Sequence, residues 1–101
     1  MAIVCPSDKN YPTKPSASTF GTTYKSYAQT AAESIGVSTA FVLCQWFQEW
    51  GIPINNPAFQ ASAFGHDLND DPQKCGNFYV FATLDDGVAA YADQINYSYN
   101  G

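Results

Sequence analysis

The centre of this sequence is the run Gln45-Trp46-Phe47-Gln48-Glu49-Trp50-Gly51. We interpret it as the last turns of a helix that begins after Ser38, a good N-cap residue, and continues to about Trp50. Gly51 is predicted to end this helix, and Pro53 prevents it from resuming. Apolar side chains occupy nearly all of its circumference, which predicts a buried, central helix.

Glu49 stands out because the chain contains only one other glutamate, Glu33. A carboxyl buried against tryptophan has its pKa raised, since desolvation disfavours the charged form, and it can then act as a general acid. Gln45, one turn earlier, can hydrogen-bond this carboxyl. The alternative is structural: a carboxyl satisfied by Gln45 or by backbone groups at a helix end.

Two further helices flank the central one. The first is predicted to be capped by Thr19 or Thr22. Its apolar residues recur at helical spacing: Tyr24, Tyr27, Ala28, Ala31, Ala32 and Ile35. Gly36 should stop it. The last helix should be capped by Asp85 or Asp86, with an inner stripe of Val88, Tyr91, Ala92 and Ile95.

Between these helices, residues 52–77 are dense in Asn, Asp, Pro and Gly. We interpret them as a long loop or a small lobe of turns and short strands, closed by a turn at Gly76-Asn77. The segment Phe78-Tyr79-Val80-Phe81 is predicted to be a short strand. The sequence therefore predicts a mainly α (α+β) domain with a small loop or β lobe.

The chain of 101 residues is predicted to form one domain, residues 19–101, preceded by an extended tail or linker, residues 1–18. No run approaches the roughly 18 apolar residues of a membrane span. The start, Met1-Ala2-Ile3-Val4-Cys5-Pro6, lacks the basic and apolar regions of a signal peptide. We therefore expect neither a membrane partner nor a signal peptide.

The net charge of −5, with four lysines and no arginine, argues against nucleic-acid binding. Three cysteines allow at most one internal disulfide, for which Cys5–Cys75 is favoured. Cys44 is then expected to be a small buried hydrophobic residue.

The absence of a Cys-x-x-Cys motif and the single histidine, His66, argue against structural zinc. The oxygen-rich loop at Asp67, Asn69, Asp70 and Asp71 could bind calcium, but it lacks the glycine and distal glutamate of an EF-hand. We expect no metal and no other cofactor.

Several motifs occur in an order that resembles the bacterial and phage glucosaminidase group of the lysozyme-like superfamily. The matches cover roughly residues 24–97 and are Gln45 with Glu49, then Asn55-Asn56-Pro57, Phe64-Gly65, and the closing segment Phe78 to Tyr91 with Asp86-Gly87 before Ala90-Tyr91. Trp50 departs from the pattern, which has a small residue there. It is expected to fill part of a sugar cleft or to pack beneath it.

The resemblance implies a lysozyme-like fold and a peptidoglycan-cleaving glycoside hydrolase acting on a β-1,4 aminosugar linkage. Glu49 would be the general acid, and Asp67, Asp70 or Asp71 would supply the second carboxylate. Gln45, Asn56, Phe64, Tyr79 and Phe81 would bind the sugar.

The resemblance also implies a partner and a location. The partner would be peptidoglycan or another aminosugar polymer. The location would be extracellular, at the cell wall or in a phage particle, and the chain would be part of a larger multidomain or phage protein. The alternative is a catalytically inactive lysozyme-like module that binds glycan or a protein partner.

Overall fold

A computed structural model describes residues 4–60 and 73–100 of this chain. The order of elements is α1 (Ala17–Ile35), α2 (Thr39–Glu49), a short 3-10 turn (Ile52–Ile54), β1 (Gln73–Cys75), β2 (Phe78–Val80) and α3 (Leu84–Asn100). The two strands pair antiparallel, with Lys74 opposite Tyr79. The prediction of a mainly helical domain with a small β element is confirmed.

The N-cap of helix α1 is Ser16, directly before Ala17. The Ser16 hydroxyl accepts a hydrogen bond of 3.2 Å from the Thr19 backbone N–H, so Ser16 is the N-cap in place of Thr19 or Thr22. The extra turn carries Phe20, which is fully buried and extends the apolar stripe by one more residue. Gly36 ends the helix at φ 77°, as predicted.

Helix α2 starts at the predicted cap but ends one residue early. Ser38 accepts a hydrogen bond from the Phe41 N–H at 3.1 Å. The last helical residue is Glu49, and Trp50 adopts the left-handed conformation at φ 52° with its N–H donating to the Trp46 carbonyl. The prediction that Gly51 caps this helix is therefore wrong.

The expectation that α2 is buried all round is also wrong. Val42 and Trp46 are fully buried, whereas Phe41 and Cys44 are exposed on another side of the helix. Only one face of α2 packs into the core, so apolar composition alone overestimated how much of the helix the fold covers.

The main core lies between the three helices. Trp46 of α2 meets Tyr91 of α3 edge to face, with ring centroids 5.4 Å apart. The predicted inner stripe of α3 is confirmed, because Val88, Tyr91 and Ala92 are buried and Ile95 packs against them. The Thr83 hydroxyl, not Asp85 or Asp86, caps α3 by accepting from the Asp86 N–H.

A second, smaller cluster surrounds the hairpin. Its buried members are Ile54, Cys75 and Val80. Gly76 turns the hairpin at φ 62°, in agreement with the predicted turn. The predicted Cys5–Cys75 disulfide is present, with a Cα–Cα distance of 5.4 Å. It joins the N-terminal segment (residues 4–16) to β1.

The same segment also contacts the end of α2. The Tyr11 hydroxyl donates to the Trp50 carbonyl at 2.6 Å, and the Trp50 indole N–H donates to the Pro12 carbonyl at 2.8 Å. Trp50 also packs edge to face on Phe20. Its large side chain therefore binds the N-terminal segment to the helical core.

Candidate functional site

Glu49 is the last residue of α2, and its side chain is exposed to solvent. The expectation that this carboxyl is buried against tryptophan is wrong. The helix stops at Glu49 and the left-handed Trp50 turns the chain away, so no following helical turn covers the side chain. Trp46, one turn earlier, takes the buried position instead.

Gln45 is half-buried and forms a hydrogen bond between two helices. Its Oε1 accepts a hydrogen bond of 2.6 Å from the Tyr91 hydroxyl, which links α2 to α3. Burial raises the pKa of Tyr91 to about 12, so the hydroxyl stays protonated and available as a donor at neutral pH. Gln45 therefore pairs with Tyr91 across the core, a partner that lies 46 residues away and that helical spacing could not indicate.

Asn56 is fully buried directly after the 3-10 turn. Its Nδ2 donates to the carbonyls of Gln60 and Tyr79, each at 2.8 Å, and its Oδ1 accepts from the Gln60 N–H at 2.8 Å. Both amide hydrogens are used within the fold. In this structure Asn56, which was predicted to bind sugar, instead joins the Asn-Asn segment to the hairpin.

The neighbouring Asn55 completes this connection. It ends the 3-10 turn in the left-handed region at φ 58°, a conformation that asparagine tolerates better than most residues. Its Nδ2 donates to the Phe81 carbonyl at 2.9 Å. Asn55 and Asn56 together bind the carbonyl of Tyr79 in β2 and that of Phe81 directly after β2, and we call residues 55–57 the asparagine clamp.

Two glycines make room for the asparagine clamp. A Cβ atom on Gly51 would overlap the Asn56 carbonyl oxygen, and one on Gly87 would overlap the Asn55 carbonyl oxygen. Gly51 therefore serves close backbone approach, which explains why it is glycine although Trp50 caps the helix. The sequence does not indicate this role, because the atoms that approach Gly87 belong to a residue 32 positions earlier in the chain.

Two aromatic residues predicted to bind sugar, Tyr79 and Phe81, differ in how far they are buried. Tyr79 is half-buried, and the Lys74 ammonium lies 4.8 Å from its ring centroid. Phe81 is 1% exposed and packs with Ala90. Of these two residues, Tyr79 alone presents part of its ring to solvent, whereas Phe81 belongs to the core.

Three predicted site residues, Phe64, Asp67 and Asp70, lie outside the described residues, as do His66, Asn69 and Asp71. The second carboxylate of the hypothesis is therefore not placed.

Within residues 4–60 and 73–100, no group of three or more His, Cys, Asp or Glu side chains could hold a metal ion. No helix in this part of the chain is long and apolar enough to cross a membrane.

Three surface cavities accompany these residues. One of about 400 Å³ lies between α1 and α3. One of about 550 Å³ lies at the Cys5–Cys75 disulfide. A third, of about 240 Å³, lies between α1 and α2 beside the free thiol of Cys44, which is exposed and not buried as expected. Glu49 lines none of these three cavities.

Comparison of the chain with protein-family models, with curated proteins and with solved structures gave no match.

Proposed function

We propose that this chain cleaves a β-1,4-linked aminosugar polymer, with peptidoglycan as the first candidate, and that Glu49 is its general acid. The observation that carries the proposal is the placement of Glu49. It is exposed at the end of α2, between the buried Trp46 and the closely packed Gly51. Access to a polymer and a fixed backbone position are both requirements for a group that must reach a glycosidic oxygen.

Glu49 would donate its proton to the glycosidic oxygen as the bond to the leaving sugar breaks. Asp67 or Asp70 would activate water or stabilise the oxocarbenium-like transition state. Two carboxyl groups about 5–5.5 Å apart would favour retention, and a separation of about 6.5–9.5 Å would favour inversion.

Two further features support the proposal. The motifs Gln45 with Glu49, Asn55-Asn56-Pro57 and Phe78 to Tyr91 follow the order of the glucosaminidase group, and the chain forms a mainly helical domain with a small β hairpin. The Cys5–Cys75 disulfide is typical of oxidising surroundings, which agrees with action outside the cell, at a wall or in a phage particle. The domain would then be one module of a larger multidomain or phage protein.

The test is release of new reducing ends from purified peptidoglycan. We expect release by the wild type and a loss of at least 100-fold in Glu49→Gln, because a general acid contributes about 10²–10⁴-fold. Glu33→Gln is the matched control, since Glu33 is the other glutamate and is an exposed residue of α1 that pairs with Gln29. Equal release by wild type and Glu49→Gln would contradict the proposal.

The second candidate is an inactive lysozyme-like module that binds glycan or a protein partner. It is favoured by the apolar surface of α2 and the preceding turn, where Phe41 is 53% exposed and Val37 is 39% exposed. Large apolar side chains in solvent mark interaction surfaces when they lie together. Folded wild-type protein that sediments with peptidoglycan but releases no reducing ends would favour this candidate.

A further inference from the structure

The N-terminal segment (residues 4–16) packs on the outside of the helical core. Most of its residues are exposed, and the half-buried ones are Val4, Cys5, Tyr11 and Pro15. The main core is formed by side chains from Phe20 onward, on the three helices and the turn after α2. The helices therefore have a core of their own, to which the segment adds little buried apolar surface.

Side-chain contacts attach the segment to the end of α2. The Tyr11 hydroxyl donates to the Trp50 carbonyl at 2.6 Å, and the Trp50 indole N–H donates to the Pro12 carbonyl at 2.8 Å. The Lys14 ammonium lies 4.4 Å from the centroid of the Phe47 ring. Each of these hydrogen bonds contributes modestly to docking, because it replaces a hydrogen bond to water.

The Cys5–Cys75 disulfide makes this attachment permanent. It keeps the segment close to its docking surface, so that Tyr11 and Pro12 meet Trp50 at a high effective concentration. Without the disulfide, the segment would be joined to the fold at one end, where α1 begins. The entropy cost of ordering the backbone applies to every residue of the segment, whereas a few residues make the contacts that offset it.

The disulfide is also accessible to a small reductant. Cys5 is half-buried, and both cysteines line the surface cavity of about 550 Å³. A thiolate of a dithiol can attack one sulfur, and the Cys5–Cys75 bond breaks as a mixed disulfide forms. The second thiol of the reductant then closes a ring. The reductant loses two electrons and two protons, and each cysteine ends as a thiol.

We propose that the Cys5–Cys75 disulfide is a redox switch, whose reduction by a dithiol frees residues 4–16 while α1, α2 and α3 stay packed. Release breaks the two hydrogen bonds at Trp50 and thereby loosens the turn that directly follows Glu49. The docked segment then belongs to oxidising surroundings and the free segment to reducing ones. The switch rests on the packing of the segment and does not depend on the proposed hydrolysis.

The test is ¹⁵N NMR relaxation of the full chain carrying Cys44→Ser, which removes the free thiol that could exchange with the disulfide. On addition of dithiothreitol, we expect the backbone order parameters of Lys9 and Thr13 to fall below about 0.6, while those of Val42 and Tyr91 stay at about 0.85. Alkylation with iodoacetamide followed by mass spectrometry verifies that both thiols have formed.

Two variants separate the disulfide from the reductant and from the hydrogen bonds. Cys5→Ser/Cys75→Ser should show the same free segment without any dithiothreitol. Tyr11→Phe with the disulfide intact is the matched control, because it loses one hydrogen bond and should keep the segment ordered. A segment that is free in oxidised Tyr11→Phe would overturn the proposal, since the hydrogen bond would then decide docking.

Other results of the reduction experiment would also overturn the switch. One is a segment that stays ordered after both thiols have formed. Another is loss of the dispersed amide signals of Val42 and Tyr91, which would mean that the disulfide holds the whole domain together. A disulfide that reacts with dithiothreitol only in denaturant would contradict its accessibility. Reoxidation with oxidised glutathione should restore the original spectrum, and failure to do so would contradict a reversible switch.

Discussion

Asn56 stabilises the protein by satisfying three backbone groups with one side chain. Two of its hydrogen bonds go to Gln60, and a third reaches the Tyr79 carbonyl in the hairpin. All of them are short, and the residue is fully buried. Loss of the amide would leave these backbone groups without partners away from water, which costs more than the hydrogen bonds themselves contribute.

We therefore expect Asn56→Ala to lower the free energy of unfolding by about 3 kcal/mol. The measurement is chemical denaturation followed by circular dichroism. Asn10→Ala is the matched control, because Asn10 is an exposed residue of the N-terminal segment, and it should change stability by less than about 0.5 kcal/mol. Equal stability of the Asn56 and Asn10 variants would show that the asparagine clamp does not stabilise the fold.

Gly51 and Gly87 have no space for a side chain, whereas Gly21 does. We expect Gly87→Ala to destabilise the protein by more than about 2 kcal/mol, since its Cβ would overlap the Asn55 carbonyl and backbone would have to move. Gly21→Ala, in α1 with nothing within 4 Å of the new atom, should stabilise by roughly 0.5–1 kcal/mol. Thermal unfolding of both variants measures the difference, and similar melting temperatures would contradict the close approach.

At the scale of elements, the N-terminal segment is fastened to both halves of the fold. The disulfide joins it to β1. The Tyr11 hydroxyl donates to the Trp50 carbonyl and the Trp50 indole N–H donates to the Pro12 carbonyl, and these two bonds join the segment to the end of α2. Burial raises the pKa of Tyr11 to about 12, so this hydroxyl also stays protonated. The segment thereby fixes the backbone next to Glu49 from outside the helical core.

Removal of the disulfide should have a large effect on stability because it closes a loop of 70 residues. We expect the double variant Cys5→Ser/Cys75→Ser to lose about 4 kcal/mol of unfolding free energy. Cys44→Ser, which changes an exposed free thiol, should stay close to wild type. Denaturation curves of the three proteins test this, and a double variant as stable as Cys44→Ser would contradict it.

The elements that could be predicted are those with local signals. Ser38 and Gly36 act through groups within a few residues, so capping and stop positions were correct there. The contacts of Asn56 and of Gln45 depend on partners 23 and 46 residues away in the chain. The exposure of Glu49 depends on how the chain leaves α2. Periodicity does not contain that information. The Cys5–Cys75 pair was favoured because Cys44 lies in an apolar helix, which left the N-terminal tail and the loop as the two ends of a bridge.

At the scale of the whole molecule, buried tyrosine hydroxyls make stability depend on alkaline pH. Burial raises the pKa of both Tyr11 and Tyr91 to about 12, above the value of about 10 in the unfolded chain. Between these values the unfolded state holds fewer protons than the folded state, so stability falls as pH rises. The stabilisation is complete below pH 10 and is lost as pH rises toward 12.

We expect the denaturant midpoint to be lower at pH 11 than at pH 8. Tyr91→Phe should show a smaller decrease over the same interval, because it removes one of the two hydroxyls, although its stability at pH 8 is also reduced by loss of the bond to Gln45. Urea denaturation at several pH values measures this. An unchanged midpoint between pH 8 and pH 11 would contradict neutral, buried hydroxyls.

The fold uses Gln45, Asn56 and Phe81 for its own stability and leaves Glu49 exposed. Among the predicted site residues that the structure describes, Glu49 is therefore the most exposed, and Tyr79 presents part of its ring to solvent. This division predicts that Glu49→Gln retains wild-type stability, whereas Asn56→Ala loses it. Any loss of activity in Glu49→Gln would then report on chemistry and not on folding.

The most direct test is chromatography with mass spectrometry of borohydride-reduced fragments from peptidoglycan incubated with wild type or with equally stable Glu49→Gln. We predict fragments with one kind of new reducing sugar from the wild type, which names the bond, and none from the variant. The same fragments from both proteins, or none from folded wild type, would contradict a Glu49-dependent glycoside hydrolase.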